Sequence, residues 1–229
     1  MYTDINFRQA LAVLLILTSV LTLSSMANAE PTERISFSDA RHLLTRTGFG
    51  ASPFEINELT DNSVEGAVDN IVAGLARDAQ STPPAWIHNS APHHYQLSNL
   101  STADKQKFRQ ARLHEVRSLQ QWWIQEMIST QNPQKERLLL FWHNHFATAY
   151  SALNDQAISI ARQHSMLRNN SAGNFRVMLK NIIRDPAMLN YLDNNNSKKQ
   201  KPNENLAREL MELFTLCLLY TSPSPRDRG

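Results

Sequence analysis

Residues 141–148 read FWHNHFAT, with His143 and His145 one residue apart and boxed by aromatic side chains. The spacing decides the fold. An H-x-H pair can grip one metal ion from a strand, where residues i and i+2 share a face. On an α-helix the same two residues diverge by about 200°. Upstream, Asn132-Pro133 is a helix-start signal, with proline at the first helical position. Leu138, Leu139, Trp142, His145 and Phe146 then recur on one helical face. The stretch is therefore read as a capped helix. Metal pairs on helices use i,i+3 or i,i+4 spacing, so His143 and His145 project to opposite sides and no metal is expected between them. His145, on the apolar face, is expected to be a buried imidazole bonded to a carbonyl or carboxylate; a share in a site built between helices is its other possible role. His143 and Asn144 lie off that face and are placed to line a cleft.

The rest of the chain carries the same helical grammar. Ser38 is expected to cap a helix ending near Arg46, with Gly48 as its stop. Ser52-Pro53-Phe54-Glu55 is a capping box, and Ser63 starts a helix through Val64, Val68, Ile71 and Val72. Residues 81–98, with Pro83, Pro84, Pro92 and three histidines, read as a loop or linker. A long helix follows over 103–129, with Leu113, Val116, Trp123, Ile124 and Met127 along one side. Asn154 is expected to cap a helix ending near Arg168, Asn174 one ending at Arg184, and Asp185-Pro186 a short one ending near Leu192. Asn203 is expected to cap a last helix over 204–216. No sustained alternation of β-branched residues points to more than a small hairpin. The fold class is all-α, a multi-helix bundle.

The two ends read differently from the body. Arg8, the apolar run 10–23 and Ala27-Asn28-Ala29 form a secretory signal peptide over 1–29, so the mature chain is expected to start at Glu30 and to keep no transmembrane anchor. Residues 217–227, CLLYTSPSPRD, back-translate to a transposase adaptor used in sequencing libraries, so 217–229 is read as a translated scar. The helical domain is then 30–216, the N-terminal part of a longer protein and incomplete at its C-terminus. The single cysteine, Cys217, falls in the scar, so packing rather than a disulfide is expected to hold the domain. Of 23 basic and 21 acidic residues, Arg8, Arg226, Arg228, Asp4 and Asp227 belong to these ends, which leaves 20 and 19. That balance argues against a nucleic-acid partner, which needs a concentrated basic face.

Other stretches carry weaker chemical signals. Leu206, Ala207, Leu210, Met211, Leu213 and Phe214 make a broad apolar face on the last helix. Glu204, Arg208 and Glu212 form an i,i+4 ladder beside it, and Glu209 and Glu212 are i,i+3 neighbours able to reach one ion or proton. Asp193, Asn195, Ser197 and Glu204 have calcium-loop spacing, but Lys198 stands where that loop needs glycine and the segment is net positive. An Asn-rich turn bonded to its own backbone is the better account. RTGFGAS, residues 46–52, lacks a phosphate-binding lysine and a preceding strand. No G-x-S-x-G motif is present. No cofactor is expected.

Four stretches, HLLTRTGFGAS (42–52), LFWHNHFAT (140–148), NFRVMLKNIIRDPAMLNYLDN (174–194) and PNENLARELMELFTL (202–216), resemble one family, domain of unknown function 1800. The resemblance implies a bacterial, exported, mainly helical protein, usually longer than this chain, and often found beside a second exported family. The family pattern continues with glycine after ELFTL, where this chain has Cys217. The resemblance carries no activity with it. Two functions remain open. One is a binding or structural component of the cell envelope, with an envelope protein or extracellular polymer as partner. The other is a metal-assisted or acid/base hydrolase of extracellular polymers, its centre drawn from His143, Asn144, His145, Arg208, Glu209 and Glu212. Convergence of those six groups in a cleft would separate the two.

Overall fold

The computed structural model describes residues 33–90, 99–153 and 156–215. Residues 1–29, expected to be a signal peptide, residues 91–98 of the proline-rich stretch, Asn154, Leu216 and the 217–229 tail lie outside them. The described residues form nine α-helices: α1 (Phe37–Thr47), α2 (Pro53–Leu59), α3 (Val64–Gly74), α4 (Thr102–Ser129), α5 (Pro133–His145), α6 (Ala157–Asn170), α7 (Phe175–Ile182), α8 (Pro186–Tyr191) and α9 (Asn205–Glu212). Three short 3-10 turns join them, the first over Ala85–His88. Extended pairing among the described residues is limited to two isolated bridges, Arg34 with Ser63 and Lys198 with Lys201. The chain is all-α. No described helix is long and apolar enough to cross a membrane.

Local chemistry sets most boundaries. Ser52 and Glu55 form the expected reciprocal box: Glu55 N–H donates to Ser52 Oγ, and Ser52 N–H donates 2.7 Å to Glu55 Oε2. Ser63, Asn174 and Asp185 cap α3, α7 and α8 through their side chains. Gly48 ends α1, its N–H bonded to the Leu44 carbonyl. The cap of α1 is Ser36, two residues earlier than expected. Its Oγ accepts from Asp39 N–H at 3.1 Å, while Ile35 just before it is buried in the small core. Ser38 is already inside the helix. Asn132 occupies the cap position of α5 but makes no capping bond; its Oδ1 accepts from Arg77 instead. The last helix is shorter than expected at its C-terminal end, and Asn203 Oδ1 accepts from Asn205 N–H at its start. The preceding turn is tied by its own amides: Asn195 to Asn190, and Asn203 to the Leu192 and Asp193 carbonyls.

Two apolar clusters hold the helices. The larger gathers Leu139, Phe146, Leu167, Met178, Ile182, Met188, Leu192 and Phe214 from α5 to α8 and the segment after α9, with Trp123, Trp142, Leu206 and Leu210 against it. The smaller joins Ile35, Ala40, Ile56 and Ala67 under α1–α3. Helix α5 links them. Arg137 donates to the Thr45 and Gly48 carbonyls at the end of α1, and buried Lys135 donates to the Arg77 carbonyl after α3. Two predicted faces were broader or turned differently. On α4 the buried stripe is Val116, Leu119 and Glu126, while Leu113 and Ile124 are exposed. On α9 Met211 and Leu213 are exposed, and Ala207 faces out with them.

The cap correction is testable. Ser36→Ala is expected to lower stability by about 1 kcal/mol, the usual value of a serine cap. Ser38→Ala should stay within about 0.5 kcal/mol, as for an ordinary surface change. Urea midpoints of the two variants check this, and a larger loss for Ser38→Ala would place the cap where the sequence pattern first put it.

Candidate functional site

Helix α5 continues to His145, so the two imidazoles of FWHNHFAT do part. His145 Nε2 lies 3.0 Å from the Phe214 carbonyl oxygen, and the ring stacks on Phe141. It is the carbonyl-bonded imidazole that was expected, half-buried rather than buried. His143 is a correction. It does not sit off the core lining a cleft with Asn144. Its Nε2 lies 3.2 Å from His164 Nδ1 on α6, and its ring centroid is 4.9 Å from that of Trp123 on α4. The physical reason is that α5 packs against both α4 and α6, so the side opposite His145 is also covered. Asn144 alone is exposed.

The α9 candidates stay apart from these. Arg208 Nη2 donates 2.7 Å to Asn205 Oδ1 and lies 3.7 Å from Glu209 Oε1, in place of the i,i+4 ladder with Glu204 and Glu212. The segment after α9 meets His145 of α5 through a backbone oxygen, that of Phe214. Arg208, Glu209 and Glu212 share α9, and no hydrogen bond described joins their side chains to His143, Asn144 or His145. Among the described residues no group of three or more His, Cys, Asp or Glu side chains comes together as metal ligands do.

What the structure does assemble is a buried polar layer between α4, α5 and α6. Glu136 is fully buried. Its Oε1 accepts from Arg168 Nε at 3.0 Å and Nη2 at 2.6 Å, and its Oε2 accepts from Trp123 Nε1 at 2.9 Å. Glu126, also fully buried, accepts from the Gln80 and Ser81 N–H groups at 2.7 and 3.0 Å and from the Ser81 hydroxyl. Burial alone would raise the Glu126 carboxyl, but those bonds and nearby Arg168 hold it below its usual range. Gln163 Nε2 donates 2.8 Å to Asp185, which also caps α8. Burial lifts the Asp185 carboxyl to about 6, against the bonds from Met188, Gln163 and Ala187.

His164 is the unusual member. It is 3% exposed, its ring lies edge-on to Trp122 and Trp123, and its Nε2 is buried without a partner among the described residues. Burial pushes His143 down to about 4. Burial, then His143 and Arg168, push His164 to about 3. Both rings are neutral near pH 7. His164 also lines a cleft of about 480 Å³ between α4, α6 and the segment 78–88. A larger depression of about 580 Å³ between α1–α3 and the start of α5 differs in kind: Glu55 is committed to the capping box and Asn132 to Arg77.

Sequence reasoning did not single out Glu126, Glu136, His164 or Arg168. The available signal was position. Glu136, Leu139, His143 and Phe146 share one i,i+3/i+4 stripe, as do Ala157, Ala161, His164, Arg168 and Ser171. A charge on an apolar stripe reads as a buried, paired group.

Two outcomes follow from this layer. Glu136→Gln leaves the Arg168 charge buried and uncompensated, so it should cost about 3–5 kcal/mol in urea unfolding, and the double change Glu136→Leu, Arg168→Met should cost less than that single one. A loss under about 1 kcal/mol for Glu136→Gln would show that the pair is not closed as described. On pH, the unfolded chain protonates both imidazoles as pH falls through about 6.5, while the folded chain resists until about 4 and 3; that stability is present above 6.5 and is lost on acidification. Asp185 acts oppositely, since its folded carboxyl takes a proton near 6, above the unfolded 3.8. The net is about one proton, or about 1.4 kcal/mol per pH unit lost between roughly pH 6 and 4.5. A urea midpoint flat over that window would contradict the buried pair.

No curated protein and no solved structure matches the chain. A family model described as a protein of unknown function matches residues 42–222, taking in all four stretches that carried the resemblance, and the chain therefore belongs to the DUF1800 family.

Proposed function

We propose that this chain is an exported component of the bacterial cell envelope that binds rather than catalyses. The observation that carries the reading is the lack of convergence. His143 is bonded to His164 within the core, His145 to a backbone carbonyl, Asn144 faces out, and Arg208, Glu209 and Glu212 belong to α9. An acid/base or metal-assisted hydrolase needs two or three such groups within reach of one substrate atom. The export half of the reading rests on Arg8, the apolar run 10–23 and Ala27-Asn28-Ala29. The near balance of charge in the body favours a protein or glycan partner over nucleic acid.

The test has two arms. Expressed from Met1 in a Gram-negative host, the chain should reach the periplasm and begin at Glu30 by mass spectrometry of its N-terminus. The purified mature chain should co-sediment with isolated envelope fractions and leave their polymers undigested. Retention in the cytosol with residues 1–29 intact would overturn export. Depolymerisation that Glu209→Ala or Glu212→Ala abolishes would move the assignment to a hydrolase.

A further inference from the structure

We infer that the cleft between α4, α6 and residues 78–88 is a binding site for a neutral, hydroxyl-bearing ring, a sugar unit of a glycan. This rests on the envelope-binding reading above and names the ligand class it would use.

The first ground is the unpartnered nitrogen. His164 is 3% exposed, yet its Nε2 has no hydrogen-bond partner among the described residues and its ring lines the cleft. A buried polar atom left so is costly, and the usual remedy is a partner from outside the chain. The polarity of that partner follows from the His143 contact. Two neutral imidazoles 3.2 Å apart share one hydrogen. If His143 donates it, His164 Nδ1 accepts and Nε2 carries the other hydrogen. If His164 donates it, Nε2 presents a lone pair. A hydroxyl serves either tautomer, because it is donor and acceptor at once.

The second ground is charge. Arg168 is the only lysine or arginine among the described lining residues, and its Nε and Nη2 are already bonded to Glu136. Asp78 also lines the cleft, and the Glu126 carboxylate lies just behind Ser81. A carboxylate or phosphate would meet an arginine whose charge is already paired with Glu136, and at least one acid. A neutral ligand meets no such penalty. The third ground is the character of the walls. Trp122, Leu119 and Ile87 give an apolar side, and Ser165 and Asn169 give polar atoms. Ser165 Oγ donates to the Ala161 carbonyl, so its own lone pairs remain for a ligand. A sugar ring offers the same division, with C–H faces and a hydroxyl rim. The volume, about 480 Å³, lies within the range of small-ligand sites.

The probes are glucose, N-acetylglucosamine, cellobiose and chitobiose, added to the purified chain and followed by calorimetry and tryptophan fluorescence. At least one should bind saturably and change the emission. Ser165→Phe, which fills the cleft from α6, should weaken that binding at least roughly tenfold with the helical circular dichroism unchanged. Asn169→Phe fills it from the more exposed rim and serves if Ser165→Phe does not fold. No saturation by any of the four sugars, binding unaffected by the filled variants, or preferential binding of acetate or phosphate overturns the assignment. Co-sedimentation with envelope in the absence of sugar binding overturns this site and leaves the envelope reading standing. Sugar binding by a chain that stays in the cytosol does the reverse.

Discussion

The rest of the molecule depends on one buried ion pair. Glu136 and Arg168 are removed from water in the middle of the bundle, and each such charge costs several kcal/mol before any partner is counted. The geometry offsets that cost only if every oxygen and most N–H groups are engaged. Two guanidinium nitrogens converge on Oε1, and the Trp123 indole closes Oε2. The pair is thus a joint between three helices, since Trp123 comes from α4, Glu136 from α5 and Arg168 from α6. A one-residue rotation of any of them strands a charge in a medium that cannot solvate it.

That joint determines how the apolar core can be assembled. Leucine, methionine and phenylalanine tolerate small slides of one helix on another, because dispersion and apolar burial have little directionality. Hydrogen bonds to ionised groups do not. Helix α6 is buried along most of its length, with Ser159, Gln163, His164 and Arg168 inside. Each polar side chain needs its own terminus. Gln163 finds Asp185, which at the same time caps α8. Arg168 finds Glu136. One turn earlier, His164 meets His143 through Nδ1, and its ring lines the cleft. The same polar layer reaches the segment before the Ala85–His88 turn, where Glu126 takes the Gln80 and Ser81 amides and so fixes the other wall of the cleft.

How far the sequence reveals this depends on the range of the interaction. Capping residues act within four positions, so the box at Ser52–Glu55 and the caps at Ser63, Asn174 and Asp185 are legible as they stand. Ser36 and Ser38 compete for one helix start, and the choice falls to Ser36 because Ile35 buries beside it, a tertiary fact. Helical faces are legible to within about a turn: α4 buries Leu119 and Glu126 where hydrophobicity alone favoured Ile124. The site is the least legible part. Pairing of Glu136 with Arg168 spans 32 residues, and that of His143 with His164 spans 21. Nothing local marks either partner except a polar residue standing on an apolar stripe. Residue-type expectation, which puts glutamate and arginine outside, conceals that mark.

The opening motif shows why a local pattern can be read correctly and its use still escape notice. The divergence of positions 143 and 145 follows from helix geometry alone. It does not follow that one of them is idle. Because α5 is covered on both flanks, opposite directions lead to two different interiors. His145 ties the end of the helix to the Phe214 carbonyl and closes the aromatic cluster of Phe141, Trp142 and Phe146. His143 crosses to α6 and meets His164, whose ring lines the cleft. A strand would have aimed both rings at one ion. The helix instead makes one histidine a strut to the Phe214 carbonyl and the other a link between α5 and α6.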